Sequence, residues 1–440
     1  MNKRIMLAGV LAVALTCQSA GAKTLEEVLK EKGVITEADY NEIVKSAPKS
    51  TPVAYKLGQG MTFTSPDEQF QLIVGGQMQM RYTFFEKDGV GVGNSSEWKL
   101  PRIKTIFRGY AFTKDLTYLI TPNWANLNTK IAGGASDTSK VLEETYLNYR
   151  IVDEAQIRVG QDKIYYSRNW LNPSSQQQFV DTAFVTDAFR PGYDIGLGVN
   201  GSALKGMLTY GAQWMGGKGQ NTTSTNNNNS YDVRIAVNPL GEMKYTEADI
   251  DMSSKPLLGI GGTYYYNTLK KTAAGTFESN NLNYANSSTG WLGKNAASYN
   301  ASENVNVSTF ETDMAFKWQG LSLQGEYFWG EGVGQTTQKT VVANGFYAQA
   351  GYMVLPKTVE LAVRYAWMDY NKSLTNSLKS EVQGAISWYV KGHNLKLQAD
   401  VTKTNMQANA VTDSRSGAAY ITATSPLSDT TFRAQAQLLF

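Results

Sequence analysis

Apolar and polar residues alternate along most of this chain, and a period of two predicts strands. In FQLIVGGQMQMRYTF, Phe70, Leu72, Val74, Met78, Met80, Tyr82 and Phe84 share one face, opposite Gln71, Gln77, Gln79 and Arg81. TVELAVRYAWMDY sets Val359, Leu361, Val363, Tyr365 and Trp367 against Glu360 and Arg364. The final stretch, TTFRAQAQLLF, sets Phe432, Ala434, Ala436, Leu438 and Phe440 against Arg433, Gln435 and Gln437, with Leu439 out of step. About sixteen such runs follow one another from 70–85 to 430–440, and most reach the roughly 9–11 residues that a tilted strand needs to cross a bilayer.

The connections sort by length. Short ones fall at TKD near Asp115, VDE near Asp153, Gly201–Ser202, Gln319–Gly320, Leu355–Lys357 and Lys391–His393. Long ones, rich in Asn and Gly, fall at 126–140, 165–191, 215–229, 268–304 and 406–429. Only 239–255 is long where a short turn is due. Short turns at one end and long loops at the other mark a transmembrane β-barrel, and a β-sandwich gives no reason for such sorting. The expected fold is therefore all-β: a transmembrane antiparallel barrel of about sixteen strands whose apolar face meets outer-membrane lipid. Closure would remove the unpaired edges that hydrocarbon does not tolerate. Tyr82, Trp214, Trp367 and Trp388, near strand ends, suit the interfacial girdles of such barrels. The alternative is a soluble carbohydrate-binding or adhesive protein.

The N-terminal residues break the pattern. Lys3 and Arg4, the apolar run IMLAGVLAVAL and the A-x-A site Ala20–Ala22 read as a cleaved signal peptide over 1–22. Residues 23–56 read as a periplasmic segment, either two short helices around Gly33 with Thr36 capping the second, or a loose tail. Residues 57–440 are then the barrel.

Composition narrows the chemistry. Cys17 is the only cysteine and lies in the signal peptide, and His393 is the only histidine, so neither thiolate nor histidine catalysis nor a metal centre is expected. We expect no catalytic residues, no cofactor and no enzymatic activity. Lys and Arg number 41 against 38 Asp and Glu, so no bulk field selects nucleic acid. Charged residues are only 18%, below the roughly 25% of ordinary globular domains, and 25 Tyr and 9 Trp add to the β signature.

Five stretches, LKEKGVITEADY, YKLGQGMTF, LIVGGQMQMRY, ETYLNYRIVDEAQIRVGQDKIYYSR and FRPGYDIGLGVNG, occur in order over residues 29–201. Together they resemble the phosphate-selective porin O/P family of Gram-negative outer membranes. The resemblance implies a sixteen-stranded barrel, a homotrimer, a third loop folded into the lumen and a C-terminal aromatic assembly signal, here Phe440. It also implies passive diffusion of small hydrophilic solutes, with phosphate or other anions preferred in some members.

The strand phasing turns Arg81, Arg102, Lys104, Arg108, Arg158 and Arg433 inward as pore-lining bases. Glu311, Asp313 and Glu326 would form an acidic wall on the opposite side. Such walls would set up a transverse field favouring anions along one side. Loop 165–191, with Arg168, Asp181, Asp187 and Arg190, is the expected constriction, pinned by Tyr165, Tyr166, Trp170 and Phe179. A weakly selective general porin, or a barrel adhesin using loops 215–229 and 268–304, are the competing functions.

Overall fold

A computed structural model describes residues 25–46, 53–89, 91–128, 140–224, 227–279, 281–411, 415 and 425–440. It divides into two units, Met1–Thr51 and Pro52–Phe440. The expected signal peptide lies outside the described residues.

In the first unit, α1 (Leu25–Glu31) and α2 (Glu37–Ser46) form as the local signals require. Gly33 takes a φ of 69°, the Gly33 N–H donates to Lys30 O at 3.0 Å and the Val34 N–H to Leu29 O at 2.9 Å, which closes α1 with a Schellman turn. Thr36 and Asp39 then open α2 with a reciprocal capping box: Asp39 N–H donates to Thr36 Oγ1 at 3.2 Å and Thr36 N–H to Asp39 Oδ2 at 2.9 Å.

The second unit starts with a hairpin, β1 (Val53–Lys56) and β2 (Gly60–Thr64), whose second strand pairs with the start of the barrel. Sixteen barrel strands follow. They are β3 (Phe70–Glu86), β4 (Ser95–Ala111), β5 (Thr113–Pro122), β6 (Leu142–Val152), β7 (Ala155–Lys163), β8 (Tyr193–Ala203), β9 (Leu208–Met215) and β10 (Ser230–Val237). The second half is β11 (Leu257–Lys270), β12 (Asn304–Trp318), β13 (Leu321–Gly334), β14 (Thr340–Leu355), β15 (Val359–Asp369), β16 (Leu378–His393), β17 (Leu395–Met406) and β18 (Leu427–Leu439). Each pairs antiparallel with the next, and β18 returns to β3 with Phe432 opposite Phe84 and Gln437 opposite Gln79. The Gly76 N–H donates to Phe440 O at 2.7 Å and the Phe440 N–H to Gly76 O at 3.1 Å, which carries the seam to the last residue. Gly76 has no side chain because the Phe440 ring occupies that space.

The alternation sorts as expected. On β17 every second residue is buried, and the outward set keeps its apolar groups exposed, as at Leu397 and Val401. Val363, Val382 and Trp388, half-exposed or more, belong to the same outward band. Such a surface has lipid as its solvent.

Three turns differ from the expectation. The β8–β9 turn is not Gly201–Ser202 but 204–207, where Leu204, Lys205 and Gly206 all have positive φ and β8 extends to Ala203. The β4–β5 turn centres on Phe112 (φ 63°), so Thr113–Asp115 already belong to β5. β16 continues through Lys391–His393 and turns at Asn394. Gln319–Gly320 does form a two-residue hairpin turn, with φ of 49° and 86° matching the twist of its strands.

Candidate solute pathway

Three connections enter the lumen and decide what space remains. The first is 164–192, with α3 (Arg168–Leu171) and α4 (Phe184–Phe189). Ser167 caps α3 by accepting from the Trp170 N–H at 3.1 Å. Tyr166 and Phe189 are fully buried against Phe328 of β13, with ring centroids 6.1 and 5.5 Å away. Residues 174–181, a 3-10 turn at Ser174–Gln176 followed by an irregular stretch, lie along the inner faces of β15–β18 and β3. Their carbonyls accept from strand side chains: Lys396 Nζ to Ser175 O at 3.1 Å and Gln177 O at 2.9 Å, Gln398 Nε2 to Gln178 O at 2.9 Å, Arg364 Nη2 to Asp181 O at 3.0 Å. Their N–H groups donate to carboxylates, Val180 N to Asp400 Oδ2 at 3.1 Å and Gln178 N to Glu247 Oε2 at 2.7 Å. Buried backbone must find partners, and inward-facing charged and amide side chains supply them.

The second is 271–303, with α5 (Trp291–Lys294). It was expected as an exposed loop. Instead it buries Tyr284, Trp291 and Leu292 completely, stacks Trp291 on Phe189 at 6.0 Å, and ties Asn283 N–H to Pro191 O at 3.1 Å. The third is 238–256, the connection that was anomalously long. Its Glu247 accepts from Asn169 Nδ2 at 2.6 Å as well as from Gln178 N, and its Asp249 accepts from the Gly320 N–H at 2.7 Å. It thus narrows the short-turn end beneath the first loop, where it still lines a cavity of about 560 Å³. Its extra length is what reaching the lumen requires.

The loop residues and bases singled out from the sequence divide accordingly. Arg81 is 2% exposed and makes a bidentate pair with Asp181, Nη1 to Oδ2 at 2.5 Å and Nη2 to Oδ1 at 3.0 Å. Arg433 pairs with Asp400 at 2.7 Å and reaches Asp181 at 3.4 Å. Burial pushes the Asp181 carboxyl up, but the guanidinium groups of Arg81 and Arg433 outweigh it and hold the acid well below its ordinary value. Arg168 is buried, donates to Lys244 O at 2.9 Å and lies over the Tyr245 ring. Glu311 and Asp313 clamp Arg234 at 3.0 and 2.5 Å, and Glu326 accepts from the Asn169 N–H at 2.5 Å. The acidic wall is therefore covered by the loop and neutralised by Arg234 and the loop backbone, rather than facing open solvent.

The open space lies on the other side, bounded by β3–β9 and loop 164–192. It is a cavity of about 850 Å³ lined by Arg102, Lys104, Arg108, Arg158 and Arg190 among others. Lys104 pairs with Glu143 at 2.5 Å, Arg158 with Asp162 at 2.6 Å, and Arg190 with Asp187 at 2.7 Å. Arg190 also lies 3.9 Å over the Trp170 ring. Arg102 donates to Gln79 Oε1 at 2.8 Å and Arg108 to Gln59 O at 3.3 Å, both neutral acceptors. Neither has an ion-pair partner within 4.0 Å among the described residues. Their six-residue separation along β4 places these two guanidinium groups about 20 Å apart down one wall, and Arg102 also acts at longer range on the carboxylates of Glu143 and Asp181.

Three charged lining residues were not anticipated: Glu143, Lys163 and Lys140. Glu143 breaks the parity because the β5–β6 register shifts between Ile120 and Pro122, and no periodicity signals such a bulge. Lys163 ends β7 and its Nζ lies 4.7 Å over Trp170.

A closed barrel with a lipid-facing band, a polar interior and a residual water-accessible path is an outer-membrane porin, a passive diffusion channel. The chain belongs to the family described as phosphate-selective porin O and P, whose model matches residues 73–438. A protein of Aquifex aeolicus (strain VF5) is 23% identical over 423 residues, covering 90% of this chain and 93% of its own. Among solved structures, the fold is similar to an anion-selective porin from Comamonas acidovorans (TM-score 0.54, 10% identity, covering 84% of this chain and 99% of that one). It is also similar to the outer membrane channel DcaP of Acinetobacter baumannii (0.52, 10%, 87% and 100%) and to OmpT of Vibrio cholerae in its trimer form (0.53, 9%, 84% and 99%).

Proposed function

We propose that this porin prefers anions, phosphate among them, and that solutes follow the β3–β9 side of the lumen past Arg102, Lys104 and Arg108. The observation that carries the reading is the pair Arg102 and Arg108, two bases on the open path whose hydrogen-bond acceptors are neutral and which form no ion pair within 4.0 Å among the described residues. The other rungs are locally neutralised by Glu143 and Asp162, so selectivity rests on these two. Guanidinium suits carboxylate and phosphate oxygens through its planar fork. Assembly as a homotrimer in outer-membrane lipid belongs to the same proposal, supported by family membership; the Vibrio neighbour is itself described as a trimer form.

Single-channel recording in a planar bilayer across a KCl gradient tests it. The expected reversal potential favours chloride, and phosphate lowers the chloride current. Arg102→Glu with Arg108→Glu moves the reversal potential toward potassium. An unchanged potential in the double variant would overturn the basic path and leave a weakly selective general porin.

A further inference from the structure

The inward face of β4 carries Arg102, Lys104, Ile106 and Arg108 in succession, and three of these are expected in a wet lumen while Ile106 is not. Leu119 of β5 adds to the anomaly. It faces Arg108 across the strand pair, which makes it the diagonal neighbour of Ile106 on the same inward surface. Both side chains line the cavity, and so do Trp170 and Leu171 of the lumenal loop. An apolar strip thus lies on the solute path between the cationic rungs. Hydrocarbon facing water gains nothing unless something apolar passes over it.

We propose that the pathway favours organic monoanions with an apolar body, small aryl carboxylates above all, over bare inorganic oxyanions. This rests on the anion-preferring reading above. A carboxylate held by Arg108 places its ring along Ile106 and Leu119, the two apolar side chains beside that base. A hydrated oxyanion uses the bases alone. Charge selects the sign of the solute and the apolar strip selects its body.

The test is block of chloride current through the full-length protein by sodium benzoate, sodium acetate and sodium phosphate. Benzoate is expected to half-block at a concentration about tenfold below acetate, corresponding to about 1.4 kcal/mol. Ile106→Ser with Leu119→Ser should bring benzoate to the acetate value and leave the chloride-over-potassium reversal potential unchanged. The wild-type comparison stands by itself should that variant fail to fold. Chloride preference with equal block by benzoate and acetate would overturn this inference and leave the anion reading intact. Phosphate blocking at lower concentration than benzoate would overturn it in favour of an oxyanion path. Absence of chloride preference in the wild type would overturn both readings together.

Discussion

Arg81 shows how an inward base can serve structure. Its guanidinium donates to both oxygens of Asp181, to Val180 O at 3.0 Å and to Gln435 Oε1 at 2.9 Å. Arg81→Met leaves the Val180 carbonyl short of a partner and Asp181 with Arg433 alone, and because Asp181 is partly exposed the cost falls below the roughly 3–5 kcal/mol of a fully buried pair. The expected outcome is a lower thermal midpoint and a larger, noisier single-channel conductance as residues 174–181 detach. The pH dependence has a definite sign. The Asp181 carboxyl is depressed in the folded state, so its contribution is complete above the ordinary carboxylate range near about pH 4 and fades as pH falls through the lowered value. Conductance of the wild type should therefore stay constant from neutral pH down to about pH 4. A step well above that range would show that another group holds the loop. From sequence, phasing was enough to turn Arg81 and Arg433 inward, but not to tell a wall charge from a loop anchor. That distinction depends on Asp181, which lies 100 residues from Arg81 in the chain.

At the scale of elements, strands were legible because their pattern is local. The sixteen runs correspond to β3–β18, and most ends differ by only a few residues. Turns were less legible: Phe112, Leu204 and Lys205 adopt positive φ without being glycine, so they carry no compositional flag. The lumenal connections split. Loop 164–192 was marked by its aromatics and its family resemblance. Loop 271–303 carried an equally apolar core in Tyr284, Trp291 and Leu292, hidden among asparagines that suggested an exposed loop. The 238–256 connection announced itself only by being too long. Shortening it to a two-residue turn between β10 and β11 tests its role. The barrel should still form, while loss of Glu247 and Asp249 opens the short-turn end and raises conductance. Unaltered conductance with an intact barrel would show that the path bypasses this segment.

At the scale of the whole molecule, the barrel is a ring whose seam joins β18 to β3, and its final hydrogen bonds link Gly76 to Phe440. Deleting Phe440 removes both seam bonds and the ring that covers Gly76. We expect a reduced yield of barrel resisting mild detergent on unheated gels, against an unchanged yield for Phe440→Tyr. The seam also has a kinetic meaning. The partners it joins, such as Thr430 with Glu86 and Leu439 with Gln77, lie roughly four-fifths of the 440-residue chain apart. Contacts of that separation form slowly, because the entropy of closing the loop is lost before any bond is gained. The ring cannot close before β18 has been made and exported, since the seam is formed by that strand. Sixteen strands with open edges must meanwhile be kept from pairing with their neighbours' strands, so the interval before closure is when this chain is most exposed to aggregation.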